Sequence, residues 1–102
     1  MKKVKITVMR RTEYPDLMEK YENPLETPCE MIIGQEFVSV DRKKPEGLCD
    51  TAWSCMEPYV MTLAHGGSDF YNGWMKNPYS AMVSCNDGFR PVTYLLEVLD
   101  EV

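Results

Sequence analysis

The sequence predicts a small α+β domain with the element order β-α-β-α-β-β, in which two helices pack on a four-stranded, mostly antiparallel sheet. Segments that alternate apolar and polar residues indicate strands, segments with a 3.6-residue apolar period indicate helices, and the two kinds interleave. A partly closed small β-barrel with helices is the alternative, because the order of four short strands in the chain does not fix their order in a sheet. The 102 residues fit one domain, residues 1–102.

The first half of the chain predicts a strand, a helix and a second strand. Residues 4–8 alternate apolar and polar side chains, which is the period of a half-buried strand. Pro15 suits the first turn of a helix, and the Asn-Pro pair at residues 23–24 ends it. After an irregular connection, a second strand rich in Phe and Val runs from about residue 36 to 41.

The second half predicts the main helix and a hairpin. The helix spans about residues 50–65, carries an apolar face and ends at two glycines. Pro58 lies inside it and cannot donate a backbone hydrogen bond, so we expect a kink there, or a short turn followed by a second helix. Strands at about residues 80–85 and 92–99 flank the Asn-Asp-Gly turn at 86–88 and form a hairpin with a loop longer than two residues.

Composition and charge narrow the class of function. The formal net charge of −5 opposes non-specific binding to nucleic acid and to anionic membranes. We interpret the basic cluster on or beside the first strand as solvated charge that protects a sheet edge. Its members are Lys2, Lys3, Lys5, Arg10 and Arg11. The sequence has no apolar run of transmembrane length and no apolar segment typical of a signal peptide, which predicts a cytoplasmic protein with reduced thiols.

Four cysteines are the most informative residues for chemistry: Cys29, Cys49, Cys55 and Cys85. No two have the C-x-x-C spacing of zinc knuckles and thioredoxin-type sites, so only folding could bring them together. Cys49 stands at the predicted start of the main helix, where free N–H groups and the helix dipole favour a thiolate, although a plain buried thiol is the alternative. Cys29, Cys49 and Cys85 could hold a soft metal such as zinc, or Cys49 could form a redox pair with Cys85 or Cys29. Folding itself requires no cofactor, since the apolar content suffices for a core.

We expect three polar residues, Asp50, Asp87 and Arg90, to meet at one end of the fold. Arg90 could bind a carboxylate of a ligand, or pair inside the protein with Asp87 or Asp50. Asp50 could instead be the N-cap of the main helix. The predicted ligand-binding residues are therefore Cys49, Asp50, Trp53, Trp74, Cys85, Asp87 and Arg90.

The segment 66–79 shows neither a helical nor a strand period, and it contains four aromatic residues. Irregular segments of this length are uncommon in compact domains and are often functional. Its aromatic side chains could cover an apolar pocket, be buried in a homodimer or partner interface, or form a small satellite core.

Two blocks of the sequence resemble a family of small bacterial and archaeal proteins. Residues 45–53 read PEGLCDTAW and residues 85–92 read CNDGFRPV. They are similar to the family patterns P-x-G-x-C-x-x-A-W and C-x-D-G-x-R-P-V, and the likeness extends upstream to Cys29, although Glu30 stands where the pattern has proline. No activity is assigned to that family, so the resemblance implies a set of site residues without a chemistry. The set leaves out Cys55 and comprises Cys29, Cys49, Trp53, Cys85, Asp87 and Arg90.

Two hypotheses follow for the function. The first is a small cytoplasmic protein that binds a small molecule in a pocket lined by cysteine, tryptophan and arginine, with soft-metal binding or thiol redox chemistry as its activity. The second is a non-catalytic module that dimerises or docks on a protein partner through residues 66–79. Enzymatic activity is not predicted, because the sequence has no P-loop, G-x-G-x-x-G, G-x-S-x-G or H-E-x-x-H motif.

Overall fold

The computed structural model describes residues 1–24 and 29–99 and has the predicted element order. The strands are β1 (Lys3–Arg11), β2 (Glu36–Ser39), β3 (Ser80–Ser84) and β4 (Val92–Leu99), and the helices are α1 (Pro15–Tyr21) and α2 (Asp50–Ala64). Neither of these helices is long and apolar enough to cross a membrane.

The four strands form one open antiparallel sheet in the order β2-β1-β4-β3. The α+β fold class is confirmed, and the sheet does not close into a barrel. The expectation that the basic residues of the first strand protect an edge is wrong, because β1 lies between β2 and β4. Lys5 instead lies between two acidic residues, opposite Glu97 of β4 at 3.8 Å and diagonal to Glu36 of β2 at 3.6 Å.

One face of the sheet carries the hydrophobic core, because alternate residues of a strand point to the same side. On this face β4 contributes Val92, Tyr94 and Leu96. α2 packs on β1, β3 and β4 and covers the face. Its buried residues are Ala52, Trp53, Met56, Val60, Leu63 and Ala64.

α2 is a single helix that continues through Pro58, so of the two alternatives, a kink or a short turn followed by a second helix, the second is wrong. Pro58 is exposed, and the Ser54 carbonyl, which loses its partner to the missing N–H, belongs to an exposed residue and can bind water. The Thr62 hydroxyl donates to the Pro58 carbonyl at 2.9 Å. Because the proline lies on the solvent side, the buried face of the helix is uninterrupted.

The direction of α2 determines which end of the molecule carries its N terminus. The Lys2 N–H donates to the Ala64 carbonyl at 2.8 Å, so the last turn of α2 lies beside the start of β1. A helix of 15 residues is about 22 Å long, which is enough to cross the sheet. α2 therefore begins near the opposite end of the sheet, where Arg11 of β1 is paired with Val92 of β4.

α1 is attached at that same end but buries none of its side chains. The Tyr14 N–H donates to the Phe89 carbonyl at 3.0 Å, and Glu22, the C-cap residue, pairs with Arg90. The apolar side chains of Leu17 and Tyr21 are exposed. Polar contacts therefore hold α1 in place.

Candidate functional site

Three of the four cysteines lie together at the end of the sheet where α2 begins. Cys49 is the N-cap residue of α2, and Cys85 follows β3 directly. Cys29 is tied to β1, because the Arg11 guanidinium donates to the Cys29 carbonyl at 3.0 Å. All three cysteines are half-buried, unpaired and packed against the core. Together with Arg11 and Tyr94 they form what we call the cysteine pole.

Tyr94 is the buried residue of the cysteine pole. Its side chain is 0% exposed, and its hydroxyl has no hydrogen-bond partner among the described residues. Burial raises the pKa of Tyr94, negative charge on Cys29, Cys49 and Cys85 raises it further, and the charge of Arg11 lowers it.

A β-bulge explains why Arg11 belongs to this group. The pairing of β1 with β4 runs from Lys3 to Val8 without interruption and then shifts, so that Arg10 is paired with Thr93 and Arg11 with Val92. Residues directly opposite in a pair of strands share a face, and Val92 lies on the core face. The bulge therefore brings Arg11, and not Arg10, to the side of the sheet that carries the cysteines.

Two backbone contacts with Val92 fix the position of Cys85. The Cys85 N–H donates to the Val92 carbonyl at 3.0 Å, and the Val92 N–H donates to the Cys85 sulfur, Sγ, at 3.2 Å. An N–H donor stabilises negative charge on sulfur. The turn that follows is held by Asp87, whose Oδ1 accepts hydrogen bonds from the N–H groups of Phe89 and Arg90 at 2.8 and 3.1 Å.

Cys49 lies at a helix N terminus that no side chain caps. The first N–H groups of α2 therefore have no partner within the helix, and the helix dipole places partial positive charge beside Cys49. The expectation that Asp50 is the N-cap is wrong, since Asp50 is the first residue of α2. Its side chain is 91% exposed and pairs with Lys44 at 2.9 Å, which offsets the negative charge next to Cys49.

Arg90 has a partner that the sequence did not suggest. Its guanidinium pairs at 2.5 Å with Glu22, and not with Asp87 or Asp50. The two side chains are 19% and 12% exposed. Arg90 therefore connects the hairpin between β3 and β4 to the end of α1.

The two predicted tryptophans lie in different parts of the molecule. Trp53 is buried in the first turn of α2, next to the cysteine pole. Trp74 is exposed on the segment that follows α2, where it packs edge-to-face on Tyr71 with ring centroids 5.3 Å apart. The structure thus brings Trp53, Cys49 and Cys85 to one end of the molecule and leaves Trp74 on a separate surface.

The segment 66–79 packs on α2 through Tyr59. The Phe70 ring lies 5.0 Å from the Tyr59 ring, and the hydroxyls of Tyr59 and Tyr71 are 3.0 Å apart. The hydrogen bond with Tyr71 is the main cause that raises the pKa of Tyr59, followed by burial. Tyr71 itself is 73% exposed and has a φ of 56°, in the left-handed region that bulky residues rarely adopt. The segment therefore presents an aromatic surface held by a strained backbone.

Cavities of about 390 and 310 Å³ lie at the end of the molecule away from the cysteine pole. The first is lined by Met1, Lys2, Ala64, His65 and Gly66, and the second by Lys2, Asn77, Tyr79 and Val98. Neither contains a residue predicted to bind a ligand.

A metal centre was one of the predicted activities of the cysteines. Within residues 1–24 and 29–99, no group of three or more His, Cys, Asp or Glu side chains could hold a metal ion. The hypothesis of a soft metal on Cys29, Cys49 and Cys85 stays a prediction from the sequence.

No family model, curated protein or solved structure matches the chain. The resemblance carried by residues 45–53 and 85–92 therefore stays a prediction. In the structure the first block leads into α2 and the second forms the turn between β3 and β4. Both blocks contribute a cysteine to the cysteine pole.

Proposed function

We propose that this protein carries out thiol–disulfide exchange, with Cys49 and Cys85 as the reactive pair and Cys29 as the third thiol of the same site. The observation that supports this function best is the placement of these three cysteines at the same end of the sheet, each packed against the core and partly accessible. Cys55 lies more than one helical turn after Cys49 and serves as an internal reference.

Exposure and local charge favour reactivity at these positions. Each of the three thiols is half-buried, so a small disulfide can reach it, whereas fully buried structural cysteines are inert. The N terminus of α2 places partial positive charge beside Cys49, and the Val92 N–H donates to the Cys85 sulfur at 3.2 Å. α2 packs on β3, the strand that Cys85 follows, which favours Cys85 as the partner of Cys49.

The proposed reaction has two displacement steps. The Cys49 thiolate attacks one sulfur of a partner disulfide, whose S–S bond breaks and releases one partner thiolate. The Cys85 thiolate then attacks the Cys49 sulfur of the mixed disulfide, which forms the bond between Cys49 and Cys85 and releases the second partner thiolate. The protein loses two electrons and two protons, and the partner disulfide becomes two thiols.

The test is oxidation of the reduced protein with oxidised glutathione, followed by alkylation and peptide mass mapping. We expect an intramolecular disulfide between Cys49 and Cys85 and a fully alkylated Cys55. The Cys55→Ser variant should form the same disulfide, and Cys49→Ser should not. Disulfides that are all intermolecular, that include Cys55, or that stop at glutathione adducts would contradict the proposal.

The exposed aromatic surface favours a second candidate function, a module that dimerises. The backbone holds Tyr71 outward in an unfavourable conformation, which a purely structural loop does not require. Sedimentation equilibrium of the parent should then show a dimer that Tyr71→Ser weakens. Tyr21→Ser, which changes an exposed tyrosine on α1, is the control. A parent protein that stays monomeric at high concentration excludes this candidate.

A further inference from the structure

The cysteine pole combines two sources of positive charge, Arg11 and the N terminus of α2, with one unsatisfied hydroxyl, that of Tyr94. The Tyr94 hydroxyl is buried without a partner among the described residues, and the N terminus of α2 has no side-chain cap. Arg11 adds a guanidinium group, of which one nitrogen donates to the Cys29 carbonyl. A buried hydroxyl without a partner is destabilising, and the Tyr94 hydroxyl can be satisfied by donating to an acceptor.

We propose that the cysteine pole binds a small anion, a carboxylate or a compact oxyanion, through the Tyr94 hydroxyl, the Arg11 guanidinium and the N terminus of α2. The three elements converge because the direction of α2 places its first turn at the end of the sheet where β1 stops. The β-bulge turns Arg11 to the same face as Tyr94.

An anion fits this site better than a cation or a neutral ligand. The helix N terminus carries about half a positive charge, Arg11 carries a full one, and the neighbouring Asp50 is paired with Lys44. The net charge of −5 on the whole chain disfavours polyanions such as nucleic acid, but a compact anion meets mainly the local field.

The bound anion and a Cys49 thiolate would compete for the same donors. By thermodynamic linkage, an anion that disfavours the thiolate binds more weakly once the thiolate forms. Anion binding should therefore slow the alkylation of Cys49 by iodoacetamide and leave that of Cys55 unchanged. The inference does not depend on the proposed disulfide, although the two share residues.

The test uses sodium acetate and inorganic phosphate as probes, at constant ionic strength set with sodium chloride. In titrations followed by NMR, the amides of residues 50–52 should shift saturably in the parent protein. Tyr94→Phe and Arg11→Gln should each weaken binding about tenfold, as expected for the loss of one hydrogen bond to a charged group. Two control variants should bind as the parent does: Arg10→Gln, at an exposed arginine bonded to the Met9 carbonyl, and Tyr59→Phe, in the aromatic segment.

Three results would overturn the inference. The first is the absence of saturable shifts at residues 50–52 with either probe. The second is equal binding by Tyr94→Phe and the parent, which would remove the hydroxyl from the site. The third is an equal response in Arg11→Gln and the parent, which would indicate a general salt effect.

The variant Cys85→Ser separates this inference from the proposed redox function. It keeps the Tyr94 hydroxyl, Arg11 and the start of α2 but cannot form a disulfide between residues 49 and 85. If the parent and this variant bind the anions but no disulfide forms in the parent, the redox function alone is wrong. If the disulfide forms and neither protein binds the probes, the anion site alone is wrong.

Discussion

The ion pair between Glu22 and Arg90 should hold α1 on the rest of the domain. α1 buries no side chain, and its attachment to the hairpin rests on this pair and on the hydrogen bond from Tyr14 to Phe89. Removing one partner of a fully buried pair costs about 3–5 kcal/mol, because the remaining charge is left unpaired. Here the side chains are 19% and 12% exposed, so water can solvate part of the remaining charge and we expect a loss of about 2 kcal/mol.

The change Glu22→Gln should release α1 without unfolding the sheet, since the core lies between α2 and the strands. Hydrogen exchange at the amides of Met18 and Glu22, which are bonded within α1, should accelerate about 30-fold. Amides in the β1–β4 pairing should keep their exchange rates.

Asp50→Asn is the matched control, because it removes an ion pair whose carboxylate is 91% exposed. It should leave exchange in α1 unchanged. Equal acceleration in α1 and in the β1–β4 pairing would refute the reasoning, because α1 would then unfold together with the core. Unchanged exchange in α1 would show that the ion pair does not hold it.

Two further predictions concern backbone conformation and alkaline pH. Gly73→Ala should lower the free energy of unfolding by about 1 kcal/mol or more, and Gly88→Ala should be neutral or slightly stabilising, measured by urea denaturation. No atom lies within 4 Å of the added Cβ at either position, but only Gly73 has a left-handed φ, of 97°. A larger loss in Gly88→Ala would contradict this account. Because burial raises the pKa of Tyr94 in the folded state above its ordinary value of about 10, the unfolded chain loses this proton first as pH rises. The stability contributed by neutral Tyr94 should be complete below about pH 10 and fall above it by up to about 1.4 kcal/mol per pH unit. Thermal unfolding from about pH 9 to about pH 11 should show this slope, and Tyr94→Phe should reduce it; an equal slope in both proteins would contradict the burial of this hydroxyl.

The periodicity of the sequence was sufficient to predict the elements of the fold. Strand and helix periods differ, and the signals that end each element, such as residues 23–24 and 86–88, are local. The pairing of strands was not predictable in the same way, because a period of two identifies which side chains share a face but not which strand lies alongside. For this reason β1 was expected at an edge although it lies inside the sheet.

The cysteine pole was predicted in part. The positions of Cys49 and Cys85 followed from the start of the main helix and from the hairpin turn, which are local features. Arg11 was missed because strict alternation from Val8 assigns Arg10 to the core face, and the bulge that reverses this gives no clear signal in the sequence. Glu22 was missed as well, since nothing local connects it to a residue 68 positions away.

Tyr94 could have been found from the sequence. It alternates with Val92 and Leu96 on the face that becomes the core, and a hydroxyl on an apolar face must find a partner or remain unsatisfied. A tyrosine hydroxyl on an apolar strand face, more than the number of cysteines, was the sequence feature that could have identified this part of the candidate site.

The order β2-β1-β4-β3 has a consequence for how the protein is made. The two central strands are the first and last elements among the described residues, and their antiparallel pairing extends from Lys3 opposite Leu99 to Arg11 opposite Val92. During synthesis, β1 therefore cannot pair along its full length with β4 until the chain has been made as far as residue 99. Such pairing of distant segments is slow, and until it is complete the edge of β1 that later pairs with β4 has no strand partner.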